Sequence, residues 1–250
     1  MRTLVLSIGN TTISCGVFSG DRLVGRWRLP VRAASAGPSL GRLIGRCARG
    51  GIDRAVFCSV VPRLTPVVRR AIARHAGTPA RGLTAAGAHG LKIGYFRPRE
   101  LGTDRLACAL GARALFPGKN VIVVDCGTAT TVTALARNGT VLGGAILPGA
   151  DLWPGMLARR TAQLPAVAVK RPRVSLGRST RAGLQSGIFF GHAGAIRELT
   201  ARIGLEAFGR AGAEVVGTGG HASRLRGEAL FTAWEPDLVL LGLHVFAKSI

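Results

Sequence analysis

One strand-and-turn pattern occurs twice in this sequence, and this repeat limits the possible folds more than any other feature. Three apolar runs, "TLVLSI", "ISCGVF" and "LVGRWRL", fill the first 30 residues and are separated by turns at Gly9-Asn10 and at residues 19–21. Their apolar and β-branched residues predict three strands. The stretch "VIVVDCGTATTVTALARNGTVLGGAIL", residues 121–147, again predicts a strand, a Gly-Thr turn, a strand, a turn and a strand.

A displacement of 118 positions superimposes the two copies. It places Gly127 on Gly9 and Asp125 on Ser7. Two such modules indicate a duplicated α/β fold whose halves face each other, each contributing a glycine-rich turn to a shared cleft. The Pro/Gly-rich residues 116–118 mark the boundary, which gives domains 1–117 and 118–250.

Helices and further strands are predicted between and after the two copies. Residues 39–49, 63–76 and 180–208 show helical spacing, and a helix begins near Thr103, which is a suitable N-cap. "RAVFCSVV" (54–61) predicts a buried strand that Pro62 ends. "EVVGTGG" predicts a strand with a glycine-rich end, and "PDLVLLGLHVFAKS" a helix or a strand followed by a helix.

The charge balance is strongly basic. Lys and Arg number 34 and Asp and Glu 12, which gives a net charge of +22. This charge would attract polyanions, but it is also consistent with a compositional bias spread over the surface. The arginines are scattered, and neither stacking aromatics nor a groove-reading helix is evident, so we do not expect a nucleic-acid partner.

The five cysteines are far apart and contain no CxxC pair, so no zinc site is expected. Their odd number and the absence of a signal-like start favour a reducing cytoplasm. The sequence contains no run of about 18 uninterrupted apolar residues, so no membrane span is predicted.

The motif "DCGTATT" (125–131) is the strongest single pattern for chemistry. A carboxylate at the end of a buried strand needs a cation or hydrogen-bond donors, and Gly127 lets backbone N–H groups approach a phosphate. The hydroxyls of Thr128, Thr130 and Thr131 add further donors. A simple hairpin with a self-satisfied Asp is the alternative, but the related turns "SIGNTT" and "GTGG" (217–220) favour a triphosphate cleft.

A second candidate motif is "GTDR" (102–105), at the start of the predicted helix. The helix dipole favours an ionised Asp104, which could accept a proton from an acceptor hydroxyl, and Arg105 could bind an acidic substrate. Taken alone, the motif is better explained by an ordinary helix cap with a local ion pair.

The order of these motifs resembles the type III pantothenate kinases of the acetate and sugar kinase/Hsp70/actin superfamily. The matching stretches run nearly from end to end: "SIGNTT", "CSVVP", "YFRPRELGTDR", "DCGTATT", "GGAILPG", "LARRTAQLP", "STRAGLQSGIFFG", "GTGG" and "PDLVLLGL". The resemblance implies two ribonuclease-H-like (actin-like) α/β domains around a cleft and a homodimer. It also implies ATP-dependent, Mg²⁺-assisted phosphorylation of pantothenate to 4′-phosphopantothenate, the first step of coenzyme A synthesis.

The resemblance also implies a role for individual residues. Asp104 would be the general base, and Asp125 would bind a monovalent cation, K⁺ or NH₄⁺. Pantothenate would contact Tyr95, Gly102, Thr103, Asp104, Arg105 and Thr180. ATP would contact Ser7, Ile8, Gly9, Asn10, Thr11, Thr12, Ile13, Ser14 and Thr128.

The sequence departs from the family pattern where that pattern carries acidic residues. Ser7 stands where both the family and the internal repeat place an Asp, and Thr133 and Leu241 stand where the family often has Asp or Glu. Arg97 replaces an Asn. Mg²⁺ prefers carboxylate oxygen, and Ser carries no charge. The pattern is compatible with an active kinase, and equally with a weak or inactive relative that binds a ligand or has a regulatory role.

Overall fold

The computed structural model describes residues 1–34, 38–87 and 90–250. The chain forms two compact units. The first contains Met1–Pro117, Gly139–Val141 and Asp237–Ile250, and the second contains Gly118–Asn138 and Leu142–Pro236. Residues 237–250, which were predicted to belong to the second domain, pack on the first unit in the structure, because their helix lies against elements of that unit.

A five-stranded sheet organises the first unit, in the order β3-β2-β1-β4-β5. β1 pairs antiparallel with β2 and parallel with β4, so the carboxyl ends of β1 and β4 lie at the same edge. The strands are β1 (Arg2–Ile8), β2 (Thr12–Ser19), β3 (Arg22–Pro30), β4 (Arg54–Ser59) and β5 (Ala80–Gly82).

Side chains alternate between the two faces of this sheet. One face of β1, which includes Leu4, Leu6 and Ile8, joins a core formed with three helices: α1 (Val31–Ala34), α2 (Pro38–Cys47) and α3 (Thr65–Ala76). The other face is covered by α4 (Thr103–Leu115) together with a helix from the end of the sequence, Leu238–Lys248.

These last two helices pack closely because glycines lie between them. A Cβ atom on Gly242 would come within 1.7 Å of the Ala107 carbonyl oxygen, so no larger residue fits there without a shift of the helix. Gly111 approaches the Leu238 carbonyl in the same way. The start of α4 is thereby held at a fixed place over the sheet.

A second sheet organises the second unit, with β11-β10-β7-β8-β9 as neighbours. β7 pairs antiparallel with β8 and parallel with β10. Two helices follow β9, α5 (Leu152–Arg160) and α6 (Thr180–Phe208), and the helix Leu238–Lys248 described above is α7. The strands are β7 (Val121–Cys126), β8 (Ala129–Leu135), β9 (Thr140–Pro148), β10 (Glu214–Thr218) and β11 (Ala233–Trp234).

The repeat predicted from the sequence is present in the strands. β7, β8 and β9 follow β1, β2 and β3 at the 118-residue displacement, and both β3 and β9 end on a proline, Pro30 and Pro148. This confirms a duplicated α/β fold. The remaining strand, β6 (Lys92–Ile93), runs parallel to Thr140 and Val141 at the start of β9, which are grouped with the first unit.

Within the described ranges, every helix is too short or too polar to cross a lipid bilayer.

Candidate functional site

Three small polar side chains lie side by side at the edge where β1 and β4 end. Ser7 is directly opposite Ser14 on β2 and directly opposite Cys58 on β4. The Ser7 hydroxyl shares a hydrogen bond with the Cys58 thiol, and both residues are buried. Ser7 lies on the face of β1 opposite to Leu6 and Ile8, which is the face that α4 and α7 cover.

The N-terminus of α4 is attached to this edge through one hydroxyl. Thr103 Oγ1 accepts a hydrogen bond from the Ser59 backbone N–H at 3.1 Å and donates to the Ser59 carbonyl at 3.0 Å. The sequence predicted Thr103 as the N-cap, and this was wrong: Gly102 is the N-cap, and no side chain caps this helix end. The Thr103 hydroxyl fixes the helix to β4 instead, and it is already engaged before any substrate binds.

The carboxylate of Asp104 folds back over the start of its own helix. Its Oδ1 accepts a hydrogen bond from the Arg105 backbone N–H at 2.8 Å. A Cβ atom on Gly102 would come within 2.6 Å of the same oxygen, so a glycine at this position leaves room for the carboxylate.

Burial raises the pKa of Asp104 above its ordinary value, and the hydrogen bond from Arg105 and the Arg105 charge oppose that rise. Burial also raises the pKa of the Cys58 thiol to about 12, and the charge of Asp104 contributes to this rise. The carboxylate of Asp104 therefore acts on the same strand edge that holds Cys58 and Ser7.

Arg105 and Tyr95 form a second part of the "GTDR" region. Arg105 is buried, and its guanidinium lies 5.8 Å from the centre of the Tyr95 ring. A ring face at this distance attracts the cation and holds it in place. A fixed arginine next to a partly buried carboxylate is suited to a substrate that carries both an acid group and a hydroxyl.

The first glycine turn closes between β1 and β2. The Gly9 N–H donates to the Thr12 carbonyl at 3.1 Å, and Asn10 and Thr11 are exposed at the tip. Ile8 and Ile13, which the resemblance assigned to ATP, have side chains buried in the core. Any contact that these two residues make with a nucleotide therefore involves their backbone.

In the second unit, three glycine-containing turns meet around the end of β7. A Cβ atom on Gly149 would come within 2.3 Å of the Gly127 carbonyl and 2.4 Å of the Thr128 carbonyl. A Cβ atom on Gly219 would come within 2.3 Å of Asp125 Oδ1, and Gly219 has a positive φ of 89°. Such close backbone packing around a carboxylate is the kind of cradle that an ion or a phosphate can occupy.

The hydroxyls of this second region differ in their surroundings. Thr128 is exposed at the turn, and Thr180 is exposed as the first residue of α6. Thr130, in contrast, is fully buried and shares a 2.9 Å hydrogen bond with His192. The expectation that Thr130 supplies a hydroxyl to a phosphate was therefore wrong.

Three neighbours of the candidate residues were not assigned a role from the sequence: Cys58, Ser59 and Gly149. All three lie in motifs that the resemblance already included, "CSVVP" and "GGAILPG". The sequence signal existed, but only the pairing of β1 with β4 and of Gly149 with the turn at Thr128 shows what these residues contact.

The side chains near Ser7 do not form a carboxylate site for Mg²⁺. Ser7, Ser14 and Cys58 carry no charge at neutral pH, and no cluster of three His, Cys, Asp or Glu residues that could hold a metal ion is found in ranges 1–34, 38–87 and 90–250. In the second unit, Asp125 supplies one carboxylate beside the glycine turns of Gly127 and Gly219.

The sequence matches a known protein family over most of its length. The family model of type III pantothenate kinase matches residues 3–202. A type III pantothenate kinase from Legionella pneumophila (strain Corby) is 38% identical over 250 residues, which cover 98% of this chain and 97% of the relative.

Solved structures support the fold alone. The ethanolamine utilization protein EutJ from Carboxydothermus hydrogenoformans aligns with a TM-score of 0.58 at 15% identity, covering 98% of this chain and 90% of its own. MreB5 of Spiroplasma citri, bound to ADP, aligns with a TM-score of 0.55 at 10% identity. The alignment covers 99% of this chain and 96% of MreB5. The two-sheet architecture is thus that of duplicated ribonuclease-H-like domains. Together with the extent of the sequence match, it places the chain in the type III pantothenate kinase family.

Proposed function

We propose that the chain transfers the γ-phosphoryl group of ATP to the hydroxyl of pantothenate that becomes 4′-phosphorylated, with Asp104 as the general base. The observation that carries this proposal is the position of Asp104. Its carboxylate lies at the start of α4, and its charge acts on the strand edge where β1 leads into the first glycine turn.

Asp104 can accept the hydroxyl proton because it is held at one helix end with a raised pKa. A base is most effective when its pKa lies close to the working pH, and burial moves Asp104 in that direction. Arg105, fixed over Tyr95, would bind the pantothenate carboxylate and orient the hydroxyl toward Asp104. Thr103, Gly102 and Thr180 complete the proposed pantothenate contacts.

The backbone of the two glycine turns would hold the polyphosphate. Residues 7–14 and Thr128 are the proposed ATP contacts, with N–H groups of the turns as donors to phosphate oxygens. When bound, Mg²⁺ supplies neutralisation of the phosphate charge. Because Ser7 offers no carboxylate, we infer that ATP itself provides most of the oxygen ligands, and that Asp125 binds the monovalent cation.

The test is a coupled kinase assay with ATP, Mg²⁺, K⁺ and pantothenate, and with mass-spectrometric detection of 4′-phosphopantothenate. Asp104→Asn should lower the rate of product formation by about 100-fold or more while ATP binding is retained. Arg105→Lys, which keeps the charge but loses the planar donor fork, should raise the KM for pantothenate more than the KM for ATP. Wild-type protein that is folded and forms no product at high enzyme concentration would refute the proposal.

A second candidate function, ligand binding with little or no turnover, is favoured by one observation. The Ser7 hydroxyl is engaged by the Cys58 thiol at the position where an acidic residue is expected. Calorimetry together with the kinase assay distinguishes the two functions. A ligand-binding relative would bind pantothenate and ATP in the calorimeter, but the assay would detect no product even with Mg²⁺ in large excess.

We further infer a homodimer from the family resemblance, and a cytoplasmic location from the five cysteines, none of which forms a disulfide in the structure. Sedimentation equilibrium tests the dimer directly.

A further inference from the structure

Two buried thiols lie in contact in the core of the first unit, on the face of the sheet that packs against α2. Cys15, in the middle of β2, and Cys47, the last residue of α2, have their Sγ atoms 3.2 Å apart. Both side chains are in the core between the sheet and α2, with exposed fractions of 0% and 2%. The kinase chemistry proposed above uses neither of them.

The geometry points to a reversible disulfide between Cys15 and Cys47, a modification site formed when the chain meets a hydroperoxide. A disulfide has a sulfur–sulfur distance of about 2.05 Å, so the two atoms need to approach by a little more than 1 Å. The sulfur atoms are already within hydrogen-bonding distance, so the approach that the bond needs is small.

The two thiols differ in reactivity, which sets the order of events. The hydrogen bond with Cys15 lowers the pKa of Cys47, and the charge of the adjacent Arg46 also lowers it, against the effect of burial. The same hydrogen bond, together with burial, raises the pKa of Cys15. Cys47 also lies at the end of α2, whereas Cys15 lies in the middle of a strand, so Cys47 is the thiol that an oxidant reaches first and Cys15 is the thiol that resolves the product.

The balanced steps need only the peroxide as oxidant. The Cys47 thiolate attacks one peroxide oxygen, the O–O bond breaks, and hydroxide leaves and takes up a proton; Cys47 is now a sulfenic acid. The Cys15 sulfur then attacks the Cys47 sulfur, the S–O bond breaks, and water leaves with the Cys15 proton. Two thiols and one hydrogen peroxide give one disulfide and two waters.

Access to Cys47 comes from the end of its helix. α2 ends at Cys47, and the turn that follows contains Gly50 and Gly51, both with positive φ. Helix ends open locally at low free-energy cost, so a small oxidant reaches Cys47 during such openings. Oxidation is then limited by opening, and it is slower than that of an exposed thiol.

The experiment treats the purified full-length chain with hydrogen peroxide, then unfolds it with an alkylating reagent present and maps the tryptic peptides. We expect peptide 3–22, which contains Cys15, to be joined to peptide 47–49, at a mass two hydrogens below their sum. Alkylated thiols should fall from five to three, and dithiothreitol should restore all five. The oxidised chain should melt at a temperature higher by about 5 °C, because the bond closes a long loop in the unfolded state.

The remaining cysteines serve as internal controls in the same digest. Cys58 and Cys126 are also buried, but they have the hydroxyl partners Ser7 and Thr130, and they should remain alkylated. In Cys15→Ala, Cys47 should stop at the sulfenic acid, which dimedone traps. Should Cys15→Ala fail to fold, the peptide map of the wild type still tests the inference. Unlinked Cys15 and Cys47 after peroxide treatment, or a link to any other cysteine, would overturn the inference.

Discussion

The Asp104 carboxylate lies against Gly102, so closely that a methyl group on Gly102 would stand 2.6 Å from Oδ1 of Asp104. Gly102 itself has φ −56° and ψ 135°, which an alanine adopts without strain. Gly102→Ala therefore displaces the carboxylate and leaves the backbone unstrained. We expect kcat/KM to fall by about 10-fold to 100-fold, with an unchanged circular dichroism spectrum. Gly45→Ala on α2, where no atom lies within 4 Å of the new Cβ, is the matched control and should retain full activity.

The raised pKa of Asp104 predicts opposite effects on activity and stability. Activity needs the ionised base, so kcat/KM should rise with pH through the pKa of Asp104, at a pH above the ordinary Asp value. The folded chain binds this proton more tightly than the unfolded chain, so ionisation of Asp104 costs stability above the unfolded pKa.

Asp104→Asn should accordingly lower kcat by about 100-fold or more and raise the melting temperature at neutral pH. Thermal melts of both proteins at pH 4 and pH 7.5 measure this, and the difference between them should be smaller at the lower pH. A variant that melts below the wild type at pH 7.5 would contradict the sign of the argument.

Ser7→Asp should strengthen the response to Mg²⁺. At an effective dielectric constant of about 20, an opposite charge at about 4 Å contributes about 4 kcal/mol before desolvation. If half of this is realised, the apparent Mg²⁺ affinity or kcat/KM increases by about 30-fold. Titration of Mg²⁺ at fixed ATP measures the change.

Ser7→Asn is the control for this prediction, because it has nearly the size of Asp and no charge; its Mg²⁺ dependence should match that of the wild type. The added carboxylate on the same strand edge should also raise the pKa of Asp104 and move the pH profile upward. Identical Mg²⁺ titrations for Ser7→Asp and Ser7→Asn would show that position 7 does not serve the metal.

Removal of the Thr103 hydroxyl, which bonds α4 to β4, should destabilise the position of α4 and of the base at its start. Thr103→Val leaves the Ser59 N–H and carbonyl without their 3.1 Å and 3.0 Å partner, which costs about 1–3 kcal/mol of unfolding free energy. Thr103→Ser keeps the hydroxyl and should retain most of the unfolding free energy that the valine variant loses. Urea denaturation measures the loss. If the valine variant is as stable as the wild type, the Ser59 contact does not hold the helix.

In the second unit, activation by K⁺ should be sensitive to substitution of Gly219. Alanine there combines a disfavoured positive φ with a Cβ placed 2.3 Å from Asp125 Oδ1. We expect Gly219→Ala to weaken activation by K⁺ by about 10-fold or more in concentration. Gly187→Ala, in open space on α6, should leave the K⁺ titration unchanged. If Gly219→Ala responds to K⁺ as the wild type does, Asp125 does not bind the cation.

The sequence was most informative where local pattern and tertiary environment agree. β3 and β9 lie at the predicted displacement because buried strands with glycine turns have few alternatives, and α6 spans the predicted residues 180–208. Short strands such as β5 and β6 were not predicted, since two or three residues carry no periodicity.

The site was less predictable for a related reason. Thr103 has the side chain of a good N-cap, but its hydroxyl bonds to β4, 44 residues earlier in the chain. The buried Thr130 next to the exposed Thr128 likewise depends on His192, which lies 62 residues away. Contacts of this range are set by the fold and have no local signal in the sequence.

The discontinuous first unit has a consequence for biosynthesis. α7 covers the sheet formed by β1 and β4, yet it is translated only after the whole second unit. A ribosome that has released residues 1–117 has therefore produced a sheet with one face covered only in part, by α4, and the rest of that face stays exposed to chaperones until Leu238–Lys248 emerges. Nascent chains stalled before α7 should be protease-sensitive in their oldest part, even though that part left the ribosome first.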